Sequence, residues 1–299
     1  MGRFTTLTFH EAQALHDAQA AHALLRYYHD AFSAEIIMGH TPRKRFGQNF
    51  LRDDSVIQGI SRAVAPTADD HIVEIGPGEG ALTDALLQSA CRLEAIELDR
   101  DLRTRLLASF SGYPRFTLHS ADALTFDYPL LMIDKYKLRV VGNLPYNIST
   151  PLIFKLLDTD GIIEDMHFML QLEVVERLAA TPGSKDWGRL GVMAQFQCEV
   201  EHLFDVPPEA FYPPPKVQSA VVRLTPYSIS PFSEVGRADL ARVVTQAFAQ
   251  RRKTLRNNFK GSLNDADWEA LGIDPTARAE TLNIDDFIAI THRLNQTTQ

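Results

Sequence analysis

His71-Ile72-Val73-Glu74-Ile75-Gly76-Pro77-Gly78-Glu79-Gly80-Ala81-Leu82-Thr83-Asp84-Ala85-Leu86-Leu87 reads as a strand, a glycine-rich turn and a helix in one run. Residues 71–75 form the strand, and Leu82, Leu86 and Leu87 share one face of the helix. The glycines between them permit a tight turn and close approach of backbone to a ligand. The alternation continues downstream. Residues 93–97 read as a second strand, 102–110 as a helix and 115–119 as a third strand. Residues 138–142 make a fourth strand and 149–157 a helix. Residues 166–170 make a fifth, running into a helix through Val174, Val175 and Leu178. Upstream, Asp53 or Asp54 caps a helix whose apolar face is Val56, Ile57, Ile60 and Val64. Strands alternating with helices predict the α/β class, with a parallel sheet covered on both faces.

The pattern then changes. Residues 198–206 and 220–224 read as strands joined by a proline-rich loop, without a helix between them. An antiparallel hairpin at the sheet edge is expected. Residues 227–231 look like a linker. Beyond them, segments 240–248, 254–259, 266–271 and 284–294 are helical, a small all-α domain. The expected organisation is an extension over 1–37, disordered or not native, an α/β domain over 38–230, and a helical domain over 231–299. Met38 opens the patterned region and suits a translation start. Of the four histidines in the extension (His10, His16, His22, His29), His16, His22 and His29 lack the spacing that sets two ligands on one helix face, and they read as solvated.

Composition narrows the function. The chain has 299 residues, 45% hydrophobic and 23% charged, as soluble globular proteins do. No apolar run approaches the ~20 residues of a membrane span, and no secretory signal opens the chain. Cys91 and Cys198 are the only cysteines, too few for a disulfide framework or a zinc cluster. A reducing cytoplasm and no metal are the expectations. The net charge of −8 argues against a nucleic-acid partner. Two local clusters argue for one: Arg43-Lys44-Arg45, and Arg251-Arg252-Lys253 with Arg256. Such patches hold phosphates while the remaining surface is acidic, though they also suit plain solvated turns.

The candidate cofactor site starts at the glycine-rich turn. It satisfies G-x-G-x-x-G/A through Ala81, and Glu97 lies about 20 residues on, where a ribose-binding carboxylate belongs. That spacing serves nicotinamide cofactors as well. Glu74 two residues before the first glycine, the third glycine Gly80, and Asp122 after the third strand point instead to S-adenosyl-L-methionine. Asp122 can accept from an adenine amine. Glu97 and Asp122 also suit helix capping. Asn143-Leu144-Pro145-Tyr146 follows the fourth strand, at the sheet edge where ligands bind. The Asn143 oxygen and a backbone carbonyl of the turn can accept both hydrogens of an exocyclic amine, and Tyr146 can stack on the ring. The same residues also suit a plain turn closing a strand.

Taken together, these pieces resemble the bacterial small-subunit ribosomal RNA adenine-N6 dimethyltransferases. The matching stretches are Arg43-Lys44-Arg45-Phe46-Gly47-Gln48-Asn49-Phe50-Leu51, the turn from Glu74 to Gly78, Ile96-Glu97-Leu98-Asp99, and Asn143 to Tyr146 with Asn147-Ile148-Ser149. Phe211-Tyr212-Pro213-Pro214-Pro215-Lys216-Val217 and Gln250-Arg251-Arg252-Lys253-Thr254 complete the set, in family order. The resemblance implies a Rossmann-like, S-adenosylmethionine-dependent methyltransferase domain with a small C-terminal all-α domain. It implies that Asn49 and Leu51 lie over the cofactor and Gly76 approaches its methionine end. Glu97 would hold the ribose, Asp122 the adenine, and Asn143 would bridge cofactor and target. Leu144 and Pro145 complete the catalytic turn, and Tyr146 and Phe211 would sandwich the target adenine. The implied reaction is dimethylation of two adjacent adenosines in the 3′-terminal hairpin loop of 16S rRNA, within the assembling small ribosomal subunit, by a monomer. A non-catalytic RNA-binding assembly factor, a large-subunit rRNA methyltransferase and a nicotinamide dehydrogenase are the competing readings.

Overall fold

Asp53 decides where the first helix begins. In the computed structural model its side chain accepts from the amides of Ser55 (2.8 Å) and Val56 (3.1 Å), a cap worth about 1 kcal/mol. The structure describes residues 48–132, 136–159, 161–232 and 235–297. The extension, Met38 and the Arg43-Lys44-Arg45 cluster lie outside the described residues. Strand β1 is Phe50–Leu51, and the capped helix α1 is Asp54–Val64, with the expected four apolar residues buried. Then come β2 (His71–Ile75), α2 (Ala81–Leu87), β3 (Arg92–Glu97), α3 (Arg100–Phe110) and β4 (Phe116–Ser120). They are followed by β5 (Leu138–Asn143), α4 (Ser149–Leu157), β6 (Ile163–Gln171), α5 (Leu172–Leu178) and α6 (Arg189–Gln195). Next are β7 (Cys198–Val206), β8 (Phe211–Tyr212) and β9 (Ser219–Pro226).

Seven strands form one sheet in the order β4-β3-β2-β5-β6-β9-β7. The first five are parallel, and β9 pairs antiparallel with both β6 and β7. The edge hairpin expected from sequence is therefore present. The chain winds outward from β2 to β4, then returns to β5 on the other side of β2. The boundary between β2 and β5 is a switch point, and crevices for ligands open beyond the strand ends there. Gly142 helps close that boundary: a Cβ on it would stand 2.6 Å from the Ile75 carbonyl oxygen. One apolar core, with Val140, Phe168 and Val222, lies on one side of the sheet; another, with Ile60, Leu86 and Val141, lies on the other.

Three elements differ from the sequence expectation. Helix α6 and strand β1 were not anticipated, and β8 lies within the stretch expected to be a proline-rich loop. The two short strands pair with each other, Phe50 opposite Tyr212 and Leu51 opposite Phe211. Their pairing is long-range, which local periodicity does not register.

The C-terminal region holds α7 (Arg237–Ala247), α8 (Leu255–Asn258), α9 (Asp265–Leu271) and α10 (Ile284–Thr297). Its core joins Leu240, Val244, Phe259, Trp268 and Phe287 to Trp187, Val192 and Phe196, which precede the linker. The Trp187 indole also donates to the Leu282 carbonyl at 2.8 Å. The helical region thus packs on the α/β part through a shared core, beyond any single tether. Among the described residues, no helix is long and apolar enough to cross a membrane.

Candidate active site

The ends of β2, β3 and β5 open on a cavity of about 400 Å³. Its walls include all six residues expected to face a cofactor: Asn49, Leu51, Gly76, Glu97, Asp122 and Asn143. Leu144, Pro145 and Tyr146 line it as well. Gly76 has φ of +63°, and nothing lies within 4 Å of where its Cβ would stand. The turn therefore keeps a backbone cradle open.

Asn143 is the last residue of β5, and its Nδ2 donates to the Asn49 carbonyl at 3.0 Å. With the amide nitrogen so committed, the side-chain oxygen is the end left for an incoming donor. The Leu144 side chain is buried, and its N–H donates to the Met169 carbonyl (3.2 Å), which pins the turn to β6. The Pro145 carbonyl already accepts from Ile148 N at 3.1 Å. Among the described residues no donor reaches the Leu144 carbonyl. Two oxygens of one turn, Asn143 Oδ1 and Leu144 O, are thus available as acceptors. The Tyr146 carbonyl accepts from Ser149 Oγ (3.2 Å), and its hydroxyl lies 3.5 Å from Ser219 Oγ.

The cavity is acidic. Glu74 is 2% exposed and accepts from Thr83 Oγ1 at 2.6 Å. Burial pushes its carboxyl up to about 7, and the neighbouring Glu97 adds to the rise. Glu97, 7% exposed, is also pushed up by burial, although it accepts from Asp99 N at 2.8 Å. Asp122 accepts from Leu124 N at 2.8 Å, so it caps a turn and lines the cavity at once. Neither Lys nor Arg lines the cavity among the described residues. Such a site favours a ligand with net positive charge, which would hold both buried carboxylates ionised.

A stability prediction follows from Glu74. Folding raises its pKa from 4.5 to about 7, so folding disfavours the ionised form. Stability is fully present below pH 4.5 and falls as the pH rises through about 7. Glu74→Gln should therefore raise the ligand-free melting point above pH 7, by on the order of 3 kcal/mol in stability, and change little below pH 4.5. Melting curves of both proteins from pH 4 to 9 check this; a parallel gain at every pH would exclude a titrating Glu74.

One expected residue is not brought to the site. Phe211 is 5% exposed and packs with Leu51, Val56 and Ile57, outside the cavity lining. Phe211 pairs with Leu51 across the β1–β8 ribbon, and opposed residues of a ladder share a face; Leu51 reaches the cavity wall from that face, whereas the Phe211 ring is held in the core cluster behind it. Phe50 lines the cavity, its ring 3.2 Å from where a Cβ on Gly78 would stand. Tyr146 lines the cavity and Phe211 does not.

Sequence reasoning gave no role to three lining residues, Gln48, Asp99 and His167. Asp99 caps α3 through Asp101 N (2.9 Å) and accepts from Gln48 Nε2 at 3.3 Å, which ties the N-terminal segment to β3. His167 lines the cavity from β6 with its side chain fully buried. A polar residue inside the otherwise apolar stretch 166–170 was the available signal. Outside the cavity lining, Arg251, Arg252 and Lys253 of the second basic cluster occupy the segment between α7 and α8, and Arg256 lies in α8. Arg251 pairs with Glu280 (3.4 Å) and the Lys185 carbonyl, and Arg256 with Asp265 (3.0 Å). Arg252 and Lys253 are exposed and form no ion pair among the described residues. Among those residues, no group of three or more His, Cys, Asp or Glu is placed to hold a metal.

Comparison with known proteins gives consistent matches. The family model described as ribosomal RNA adenine dimethylase matches residues 39–296. A protein of Saccharophagus degradans named ribosomal RNA small subunit methyltransferase A is 55% identical over 262 residues, 88% of this chain and 98% of its own length. Its namesake in Nitrosococcus oceani is 57% identical over 254 residues, covering 85% and 96%. Among solved structures, a dimethyladenosine transferase from Plasmodium falciparum superposes with TM-score 0.71 at 25% identity, over 83% of this chain and 98% of that one. The 23S rRNA methyltransferase ErmE gives 0.66 at 26% identity, over 83% and 100%.

Proposed function

The chain belongs to the ribosomal RNA adenine dimethylase family, and from that premise we propose how its site works and on what. Its activity is that of an rRNA adenine dimethyltransferase acting on small-subunit RNA. In our reading the methyl donor is S-adenosyl-L-methionine. The targets are two adjacent adenosines in the 3′-terminal hairpin loop of 16S rRNA, within the assembling subunit. The protein acts as a cytoplasmic monomer and needs no metal. The α/β domain ends near residue 230, and residues 231–299 are the helical RNA-binding part.

The observation that carries this reading is the turn after β5. Asn143 is oriented by the Asn49 carbonyl, so that its oxygen and the Leu144 carbonyl face an incoming amine. When bound, S-adenosylmethionine supplies a methyl group on a positively charged sulfur. The acidic walls fit it: Glu97 would accept from ribose hydroxyls, Asp122 from the adenine amine, and Glu74 would offset the positive charge. The phosphates of a nicotinamide dinucleotide would meet the same carboxylates at a cost, which weighs against a dehydrogenase.

The target amine is a poor nucleophile because its lone pair is delocalised into the ring. Asn143 Oδ1 and Leu144 O take its two hydrogens, favour a pyramidal nitrogen and stabilise the charge that develops there. Tyr146 adds a stacking face worth about 0.5–2 kcal/mol against a developing cation. The turn's rigidity, from Pro145 and the Leu144–Met169 bond, aligns the amine. A strong base is unnecessary, because the proton becomes acidic only after attack. The base must leave its stack first, and a loop adenine does so at lower cost than a paired one.

The decisive experiment is transfer of labelled methyl to small subunits lacking the modification, with the modified bases mapped. Two labelled adjacent adenosines, each dimethylated, are expected. Label appearing only in large-subunit RNA, or none at all, would refute the reading.

RNA affinity must come from local charge in so acidic a chain. Binding should weaken with salt by a logarithmic slope of about −0.7 to −0.9 per phosphate contacted. Neutralising Arg251, Arg252 and Lys253 together should flatten the slope by roughly two to three units and leave cofactor affinity unchanged. A slope equal to that of the unmodified protein would mean that these residues only solvate the segment between two helices.

A further inference from the structure

Tyr212 is an aromatic residue that the reaction so far leaves unused. It is 53% exposed, in contrast to buried Phe211 beside it. It stands opposite Phe50 in the β1–β8 ribbon, and Phe50 lines the cavity. The Arg52 guanidinium lies over its ring, 4.4 Å from the centroid. Arg52 is fixed in turn by Glu79 of the glycine-rich turn, Nη2 to Oε2 3.1 Å. A flat π face, braced by a cation, is therefore held next to two residues of the cavity wall, Phe50 and Glu79. From Tyr212 the chain crosses residues 213–218 and reaches Ser219, which touches the Tyr146 hydroxyl. One short loop thus runs from Tyr212 to the serine that meets Tyr146, which lines the cavity.

Extruding one adenosine from a loop also strips its neighbour of a stacking partner. The geometry points to Tyr212, backed by Arg52, as the platform on which the neighbouring adenine stacks while its partner occupies the cavity. This subsite rests on the reading that the substrate is a pair of adjacent adenosines, and gives that reading a physical basis. A base stacks on any aromatic face, so either adenosine of the pair can rest there while the other reacts. Loss of the platform should therefore weaken engagement of the RNA without touching cofactor binding or the acceptors at Asn143.

The test uses the full chain and unmodified small ribosomal subunits, with variants Tyr212→Ala, Tyr212→Leu and Tyr212→Phe. Labelled-methyl transfer gives KM and kcat for subunits, and calorimetry gives S-adenosylmethionine affinity. Removing the π face should raise KM by roughly ten-fold, the scale of one lost base–aromatic stack, with kcat little changed. Tyr212→Leu keeps apolar bulk without a π face, and should be as impaired as Tyr212→Ala. Tyr212→Phe should restore the KM of the unmodified protein. Cofactor affinity should be equal in all four proteins. Normal KM in Tyr212→Leu, or no rescue by Tyr212→Phe, would overturn the platform while leaving the reaction intact. Failure of the unmodified protein to methylate adjacent adenosines would overturn the functional reading, and the platform with it.

Discussion

Asn143→Ala should slow single-turnover methyl transfer by about 10²-fold or more, the scale of losing one preorganised transition-state contact. The structure sharpens this expectation. The Asn143 amide bonds the Asn49 carbonyl at 3.0 Å, so truncation removes an acceptor and also frees the N-terminal segment. The two effects separate by measurement. Loss of the acceptor lowers the chemical rate at saturating cofactor and RNA. Release of the segment weakens S-adenosylmethionine binding, which calorimetry detects. Asn143→Asp keeps an acceptor but loses the donor to Asn49 and adds charge to an acidic cavity. It should be slow as well, with cofactor affinity altered. RNA binding should survive in both, because the phosphate contacts lie elsewhere. Single-turnover rates equal to those of the unmodified protein in Asn143→Ala would remove this residue from the mechanism.

Glu97→Ala should weaken S-adenosylmethionine binding by ten-fold or more, since charge-assisted hydrogen bonds of this kind contribute about 1.5–3 kcal/mol each. The fold should persist. Glu97 sits at the end of β3 with one oxygen on Asp99 N, and burial raises its pKa, so the ligand-free protein gains nothing by ionising it. Binding should also weaken as the pH falls through the range where Glu74 and Glu97 take up protons, because a proton and a cationic ligand compete for the same carboxylates. Calorimetry at several pH values checks both statements. An affinity indifferent to the loss of Glu97 would refute its assignment to the ribose.

Much of this site was legible in the sequence because it is built from local pieces. The strand, turn and helix over 71–87 are specified by residues adjacent in the chain, and β2, α2 and Gly76 lie where periodicity places them. The edge hairpin was legible too, because no helix separates β7 from β9. What escaped depends on distant partners. Phe211 and Tyr212 are neighbours of similar chemistry, and their pattern does not say which one faces the core. Only pairing with Phe50 and Leu51 decides it, and that pairing sets the ring expected to meet the target into the core. Likewise α6 and Trp187 gain their meaning from the C-terminal helices they pack against. The role of Asp99 depends on Gln48, about 50 residues upstream.

The β1–β8 ribbon also constrains how the protein is made. One strand is near the start of the described chain, and the other emerges about 160 residues later. At a synthesis rate of roughly 5–20 residues per second, the first strand waits on the order of ten to thirty seconds for its partner. Until then the cavity lacks the ribbon that joins its rim to the core. The nascent chain can therefore complete β2 and β3 early, yet acquires a closed cofactor site only once residue 212 has left its own ribosome.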